Sequence, residues 1–378
     1  MQPIVIVGSG LAGYTLLKEI RKRDAATPVT LITADDGAFY SKPNLSNAFA
    51  TGRTAAALAS ASAEKMAADL NATVLTHTRV TAIDTAGQRV RTDQGEQGYS
   101  KLVLAIGADP FPHGLAGSGA ADVLTVNDLA DYAAFRRAVD GRQRVTVLGG
   151  GLIGCEFAND LVHAGFKVDV VHLGEWPLER LLPVEAGQRL AESLAALGVS
   201  WHFGRTGKSV EAVADGYRVE LDNGDTVAAD VVLSAIGLKP RTQLAQAAGI
   251  KVGRGIQTNG LLETSAQNVY AMGDCAEVEG LNLPYVQPLM VQARALGASL
   301  TGTPASVVYP AMPVMVKTPA HPVAVLPPRM GVAGDWKIER SDTGICALYI
   351  DEAGRLQGFA LTGSETGRRN TLAKEIAA

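Results

Sequence analysis

The sequence predicts an α/β fold in which one strand–turn–helix scheme is used twice and a smaller α+β segment follows. Three observations carry that prediction. An apolar run enters a glycine pattern twice, in "IVIVGSGLAGY" near the start and in "VTVLGGGLIGCEF" from Val145 to Phe157. Each copy closes on a similar phrase, "AIGADP" ending at Pro110 and "AIGLKP" ending at Pro240. Beyond Pro310 the pattern alternates and turns like an antiparallel sheet.

Length and composition bound the reading. With 378 residues the chain has room for two or three domains at about 150 residues each. Hydrophobic residues make up 47% and charged residues 19%, which is globular rather than disordered. A net charge of -4 gives no electrostatic case for nucleic acid. No run of about 18 apolar residues could span a bilayer, and "MQPIVIV" enters a strand without the basic and apolar regions of a secretory signal. The three cysteines, Cys155, Cys275 and Cys346, are too few and scattered for a disulfide framework or a metal site. A reducing compartment, the cytoplasm, is therefore expected, with Cys155 and Cys275 acting as small buried hydrophobes. The six histidines show no ligand spacing, and no metal is expected.

The elements follow in order. A strand at Ile4 to Val7 leads through the glycine turn to a helix at about Ala12 to Arg23, with Leu16, Leu17 and Ile20 on one face. A second strand, Val29 to Thr33, completes a βαβ unit. "KLVLAIGADP", Lys101 to Pro110, reads as a strand buried on both faces of a parallel sheet. The scheme then repeats as strand Val145 to Leu148, helix Leu152 to Ala164, strand Lys167 to His172 and closing strand Asp230 to Pro240. An internal duplication is the simplest account. "NVYAMGDCAEV" (Asn268 to Val278) is a strand entering Gly-Asp, "PLMVQARALGASLTG" is a helix, and a last short helix is expected near Asn370 to Ala377.

In Gly8-Ser9-Gly10-Leu11-Ala12-Gly13 the first glycine permits the turn and the second lets the backbone approach a pyrophosphate. The third lets helix and strand pack closely. The helix N-terminus then favours the anion. Asp35 and Asp36 lie close to the expected position of the ribose-binding acid, although the strand-end position itself is Ala34. Gly149, Gly151 and Gly154, with Leu152 and Ile153 between the last two, pass the same contextual test. The usual acidic position after this second fingerprint is occupied by His172, with Glu175 three residues late. From the residues alone, Lys42 is equally a solvated loop lysine and Lys317 a strand-edge lysine. Two closely spaced redox cysteines are missing after the first unit, which excludes disulfide-reductase chemistry.

Four stretches make the chain resemble the FAD-dependent reductases of electron carriers, the rubredoxin reductase branch in particular. They are "TADDGAFYSKPNLS", "GLIGCEFANDL", "YAMGDCAEVEGLNLPYVQPLM" and "PVMVKTPAHPV". The likeness runs end to end, and Lys-Pro-x-Leu-Ser and Val-Lys-Thr-Pro are its discriminating parts. It implies two Rossmann-like dinucleotide-binding domains in a glutathione-reductase-like arrangement plus a small α+β C-terminal domain. The implied domains are a discontinuous FAD-binding domain at 1–112 and 242–310, an NAD(P)H-binding domain at 113–241 and the C-terminal domain at 311–378.

By position, the resemblance places Gly8, Ser9, Gly10, Leu11, Ala12 and Gly13 on the FAD pyrophosphate. Ala34, Asp35, Val80, Ala105, Asp274 and Val286 are its further FAD contacts. Lys42 would sit over the flavin near N5 with Glu156 as its ion-pair partner, the two residues implied at the reacting ring. Lys317 would reach the pyrimidine side. Gly149, Gly151, Leu152, Ile153, Gly154 and Gly237 would hold NADH, with NADPH left open by His172. The implied activity passes electrons from NAD(P)H through FAD to rubredoxin, in the service of alkane degradation, by a monomer with no membrane span. The alternatives are a ferredoxin reductase of an oxygenase system, an NADH oxidase, which would keep a redox cysteine where "SKPNLSNAF" has none, and a nicotinamide-sensing interaction protein.

Overall fold

The computed structural model describes residues 2–329 and 331–377. The chain divides into two compact units. One combines Met1–Lys42, Ala57–Asp109 and Leu238–Tyr309; the other combines Pro43–Ala56, Pro110–Gly237 and Pro310–Ala378. The short segment 43–56 and the C-terminal residues thus fold with 110–237. Among the described residues no helix is long and apolar enough to cross a membrane.

In the first unit five parallel strands stand in the order Val269–Ala271, Lys101–Leu104, Ile4–Val7, Val29–Ile32, Thr73–Leu75. The four residues of Ile4–Val7 are all buried, as are those of Val29–Ile32, which is why these strands read as unbroken apolar runs. The chain moves outward from Ile4–Val7 to Thr73–Leu75 and later returns to its other side at Lys101–Leu104. That reversal is the switch point where open α/β sheets bind ligands. The helices Leu11–Arg21 and Val286–Leu300 pack on each other. The expected single strand Lys101 to Pro110 breaks after Leu104. At the break the Ala105 carbonyl presses so close to Gly8 that a Cβ on Gly8 would overlap it.

The second unit repeats the scheme with four parallel strands in the order Val199–Phe203, Lys167–His172, Arg144–Leu148, Val231–Ser234. The expected closing strand Asp230 to Pro240 likewise stops at Ser234. The C-terminal part is a five-stranded antiparallel sheet in the order Val314–Val316, Val323–Leu326, Leu356–Thr362, Gly344–Asp351, Gly334–Ser341, followed by the helix Arg369–Ala377. The helix Val184–Ala195 packs on the strands Gly344–Asp351 and Leu356–Thr362. One apolar cluster accordingly runs from Phe135 and Leu190 to Val325 and Ala360. Phe49 is edge-on to Phe135 and Phe166, which seats the segment 43–56 on this core.

Each unit also carries a three-stranded antiparallel sheet that the sequence did not foretell, at Val80–Asp84, Arg89–Thr92, Gly95–Gly98 and at Gly207–Val213, Gly216–Leu221, Thr226–Ala229. Only eight of their thirty strand positions are buried, so "RVRTDQGEQG" lacks the apolar signal of a core strand.

Candidate functional site

The first fingerprint forms a phosphate cradle. Gly8 sits at φ 113°, a conformation closed to side chains, and a Cβ on Gly13 would overlap the Gly8 carbonyl oxygen. The helix Leu11–Arg21 starts at Gly10 with no capping side chain and no acid in its first turn. A Cβ on Gly10 would meet nothing within 4 Å. The first amide N–H groups therefore face open space, ready for an anion. At the neighbouring strand end, Ser9 Oγ (2.9 Å), Thr33 Oγ1 (2.6 Å) and the Gly37 N–H (2.9 Å) all donate to Asp35 Oδ1. The other carboxyl oxygen keeps its acceptor capacity, as a ribose contact requires, while Ala34 is exposed beside it.

The remaining first-unit candidates line the same switch point or stand off from it. Ala105 is buried against Gly8. Asp274 lies in the short turn Gly273–Cys275 after Val269–Ala271. Burial raises its pKa while the Lys42 charge opposes the shift. Lys42 opens the turn Lys42–Asn47. Val286 begins the helix Val286–Leu300 and is exposed. Val80 opens an antiparallel strand.

The second fingerprint has the same geometry. Gly149 lies at φ 106°, a Cβ on Gly154 would overlap the Gly149 carbonyl, and Gly151 faces open space. The helix Leu152–His163 also begins with no cap side chain and no acid in its first turn. Ile153 and Ile236 are exposed beside this turn, and Gly237 at φ 116° follows. They give the cradle the apolar margin usual for a cofactor site. Cys155 is fully buried with its sulfur 3.3 Å from the Gly150 carbonyl, and burial pushes its thiol pKa up.

The next residue, Glu156, is the most deeply buried acid of the site, with no solvent exposure. The sequence expectation pairs it with Lys42. In the structure Lys317 pairs with it, its Nζ 2.8 Å from Oε2 and its backbone N–H donating to Oε1 at 2.8 Å. Ser46 Oγ donates to the same carboxylate, and Lys317 Nζ also donates to the Pro43 carbonyl. Burying a carboxylate demands such donors. Ser46 was missed by residue-level reasoning, although it lies inside the Lys-Pro-x-Leu-Ser stretch. Asp160, on the same helix, anchors the residues just after that stretch by accepting from the Phe49 and Ala50 N–H groups at 2.7 and 3.2 Å.

Comparison with known proteins places this geometry. Residues 2–297 match the family model described as pyridine nucleotide-disulphide oxidoreductase, and residues 306–376 match that of a rubredoxin binding C-terminal domain. The chain is 49% identical to a rubredoxin-NAD(+) reductase of Alcanivorax borkumensis, over 100% of this chain and 99% of that one. It is 46% identical to the rubredoxin-NAD(+) reductase of Acinetobacter baylyi, over 100% and 98%. Among solved structures it resembles the covalent putidaredoxin reductase–putidaredoxin complex, with a TM-score of 0.91 and 26% identity over 100% of this chain and 93% of that one.

Proposed function

Because the chain belongs to the pyridine nucleotide-disulphide oxidoreductase family, we propose that it is a flavoprotein reductase that takes electrons from NADH and passes them to rubredoxin. The observation that carries this reading is the pair of uncapped glycine turns, one per unit, joined in one chain to a segment that matches a rubredoxin-binding domain. When bound, FAD would supply the one property amino acids lack: it accepts a hydride, two electrons at once, and releases electrons singly.

The chain's own residues do the rest. The turn Gly8–Gly13 fits the FAD pyrophosphate, with Asp35 on the ribose and Asp274, Lys42, Val80, Ala105 and Val286 as further contacts. The turn Gly149–Gly154 with Gly237 fits NADH. Glu156 and Lys317 hold a fixed, largely dry charge pair at the head of the second fingerprint helix. A preorganised pair of this kind stabilises charge that develops beside it without reorganising. No redox thiol takes part, since all three cysteines are free and buried. In this assignment 1–112 with 242–310 binds FAD, 113–241 binds NADH and 311–378 receives rubredoxin. The free buried thiols favour the cytoplasm, and we assign the monomer, which size-exclusion chromatography checks directly.

The deciding experiment mixes the purified holoprotein with NADH and either rubredoxin or a [2Fe–2S] ferredoxin and follows bleaching of the acceptor's visible band. Rubredoxin is expected to bleach faster. Equal or faster bleaching of ferredoxin overturns the choice of acceptor in favour of an oxygenase component.

A further inference from the structure

In a dinucleotide-binding unit the residue ending the strand after the fingerprint helix meets the adenosine ribose. An acid there accepts from the 2′-hydroxyl and repels a 2′-phosphate. Here that residue is His172, last in the strand Lys167–His172, and the backbone already uses both of its ring nitrogens. Nδ1 accepts from the Gly150 N–H at 3.1 Å. Nε2 lies 3.1 Å from the Trp176 carbonyl and donates to it, which requires the neutral tautomer. Burial lowers the His172 pKa, against the pull of the Glu179 charge. Such a ring offers neither an acceptor to a hydroxyl nor a charge to a phosphate.

The loop leaving His172 is drawn back to the fingerprint. Leu178, buried and at φ 59°, donates its N–H to the Gly150 carbonyl at 2.9 Å. The next residue, Glu179, folds its carboxylate against the Cα of Gly174, where a Cβ would overlap it. Gly174 thus makes the space in which this carboxylate sits, two residues past His172. Among the described residues no hydrogen bond or ion pair engages it. Glu175 is directed elsewhere, with Oε1 3.1 Å from where a Cβ on Gly204 would stand.

We propose that Glu179 is the acid that selects the dinucleotide, accepting the adenosine 2′-hydroxyl in place of the sealed strand-end residue and making the protein prefer NADH to NADPH. The proposal rests on the reading that the second fingerprint holds the pyridine nucleotide. Its competitor is the exposed Arg180 next door, a cation that would welcome a 2′-phosphate. Glu179 is the better placed, its carboxylate being held against Gly174, two residues past His172, while the Arg180 side chain is exposed.

The test is anaerobic rapid-mixing reduction of the bound flavin in wild type, E179Q and E175Q by NADH, 2′-deoxy-NADH and NADPH. Wild type should prefer NADH and lose about tenfold or more in affinity for the 2′-deoxy analogue, the scale of one charge-assisted hydrogen bond. E179Q should keep its flavin spectrum and limiting rate, bind NADH and its 2′-deoxy analogue alike, and show an NADH to NADPH ratio reduced about tenfold or more. E175Q should follow wild type. An unchanged ratio in E179Q overturns the proposal, as does a ratio that collapses in E175Q instead, or a wild type that prefers NADPH. A wild-type flavin that neither nucleotide reduces would fell both the proposal and the functional reading, and no ratio could then be measured.

Discussion

Glu156 and Lys317 show what a buried charge requires of its surroundings. The carboxylate has no solvent contact, while the lysine side chain keeps 31% of its exposure. Removing the lysine strands an ion in a dry site, which costs roughly 3–5 kcal/mol where both partners are fully buried. Because Lys317 is partly wet and its backbone N–H and Ser46 remain, Lys317→Ala should sit at the low end, near 3 kcal/mol. Glu156→Gln, which keeps one carbonyl acceptor and leaves only the partly exposed lysine without its counter-charge, should cost less. Urea midpoints of the two variants check the order, and a milder loss in Lys317→Ala than in Glu156→Gln would contradict it. The sequence identified Glu156 and Lys317 as site residues but matched Glu156 to Lys42. Position along the chain says nothing of a contact 161 residues away, and the pairing of Glu156 with Lys317 depends on the C-terminal sheet, whose packing no local pattern encodes.

Among the elements, the parallel strands Arg144–Leu148 and Val231–Ser234 are clamped at their starts by Asp230. One of its oxygens accepts from the backbone N–H groups of Gln143 and Arg144 at 2.9 Å, and the other from the Arg144 guanidinium at 2.6 Å. Burial alone would raise its pKa, but the Arg144 hydrogen bond and the two backbone N–H groups outweigh it and hold the carboxyl at about 2. A folded pKa below the unfolded value of about 3.9 means stability that is present above that pH and lost as pH falls through the window toward about 2. Asp230→Asn should therefore lower the urea midpoint at pH 7, and the gap to wild type should narrow as pH drops below about 4. A gap that stays constant across that range would refute the assignment. The glycine turns and the strands they follow were legible because burial on both faces leaves unbroken apolar runs. The small antiparallel sheets were not, because few of their positions are buried and many carry polar residues that also suit turns.

For the whole molecule, all three thiols are out of reach. Cys155 and Cys275 have no solvent exposure and Cys346 has 1%, and burial pushes the Cys275 thiol up to about 11. A thiolate is the reactive species, so the native protein should give no fast reaction with a disulfide reagent at pH 8, and three equivalents once unfolded in guanidinium; a fast native thiol would show that one of these sites opens. The wider plan was legible, the two copies of one scheme from repetition and the final sheet from alternation. The allotment of residues 43–56 was not, since a short loop acquires its place from the core that receives it. The carboxylate of Glu156 reaches back 110 residues to Ser46 and forward 161 to Lys317. During synthesis the helix that carries it emerges long before its counter-charge does. Contacts so distant in sequence are slow to form, so the nascent second unit must wait, incomplete and with apolar surface uncovered, until nearly the last strand has left the ribosome.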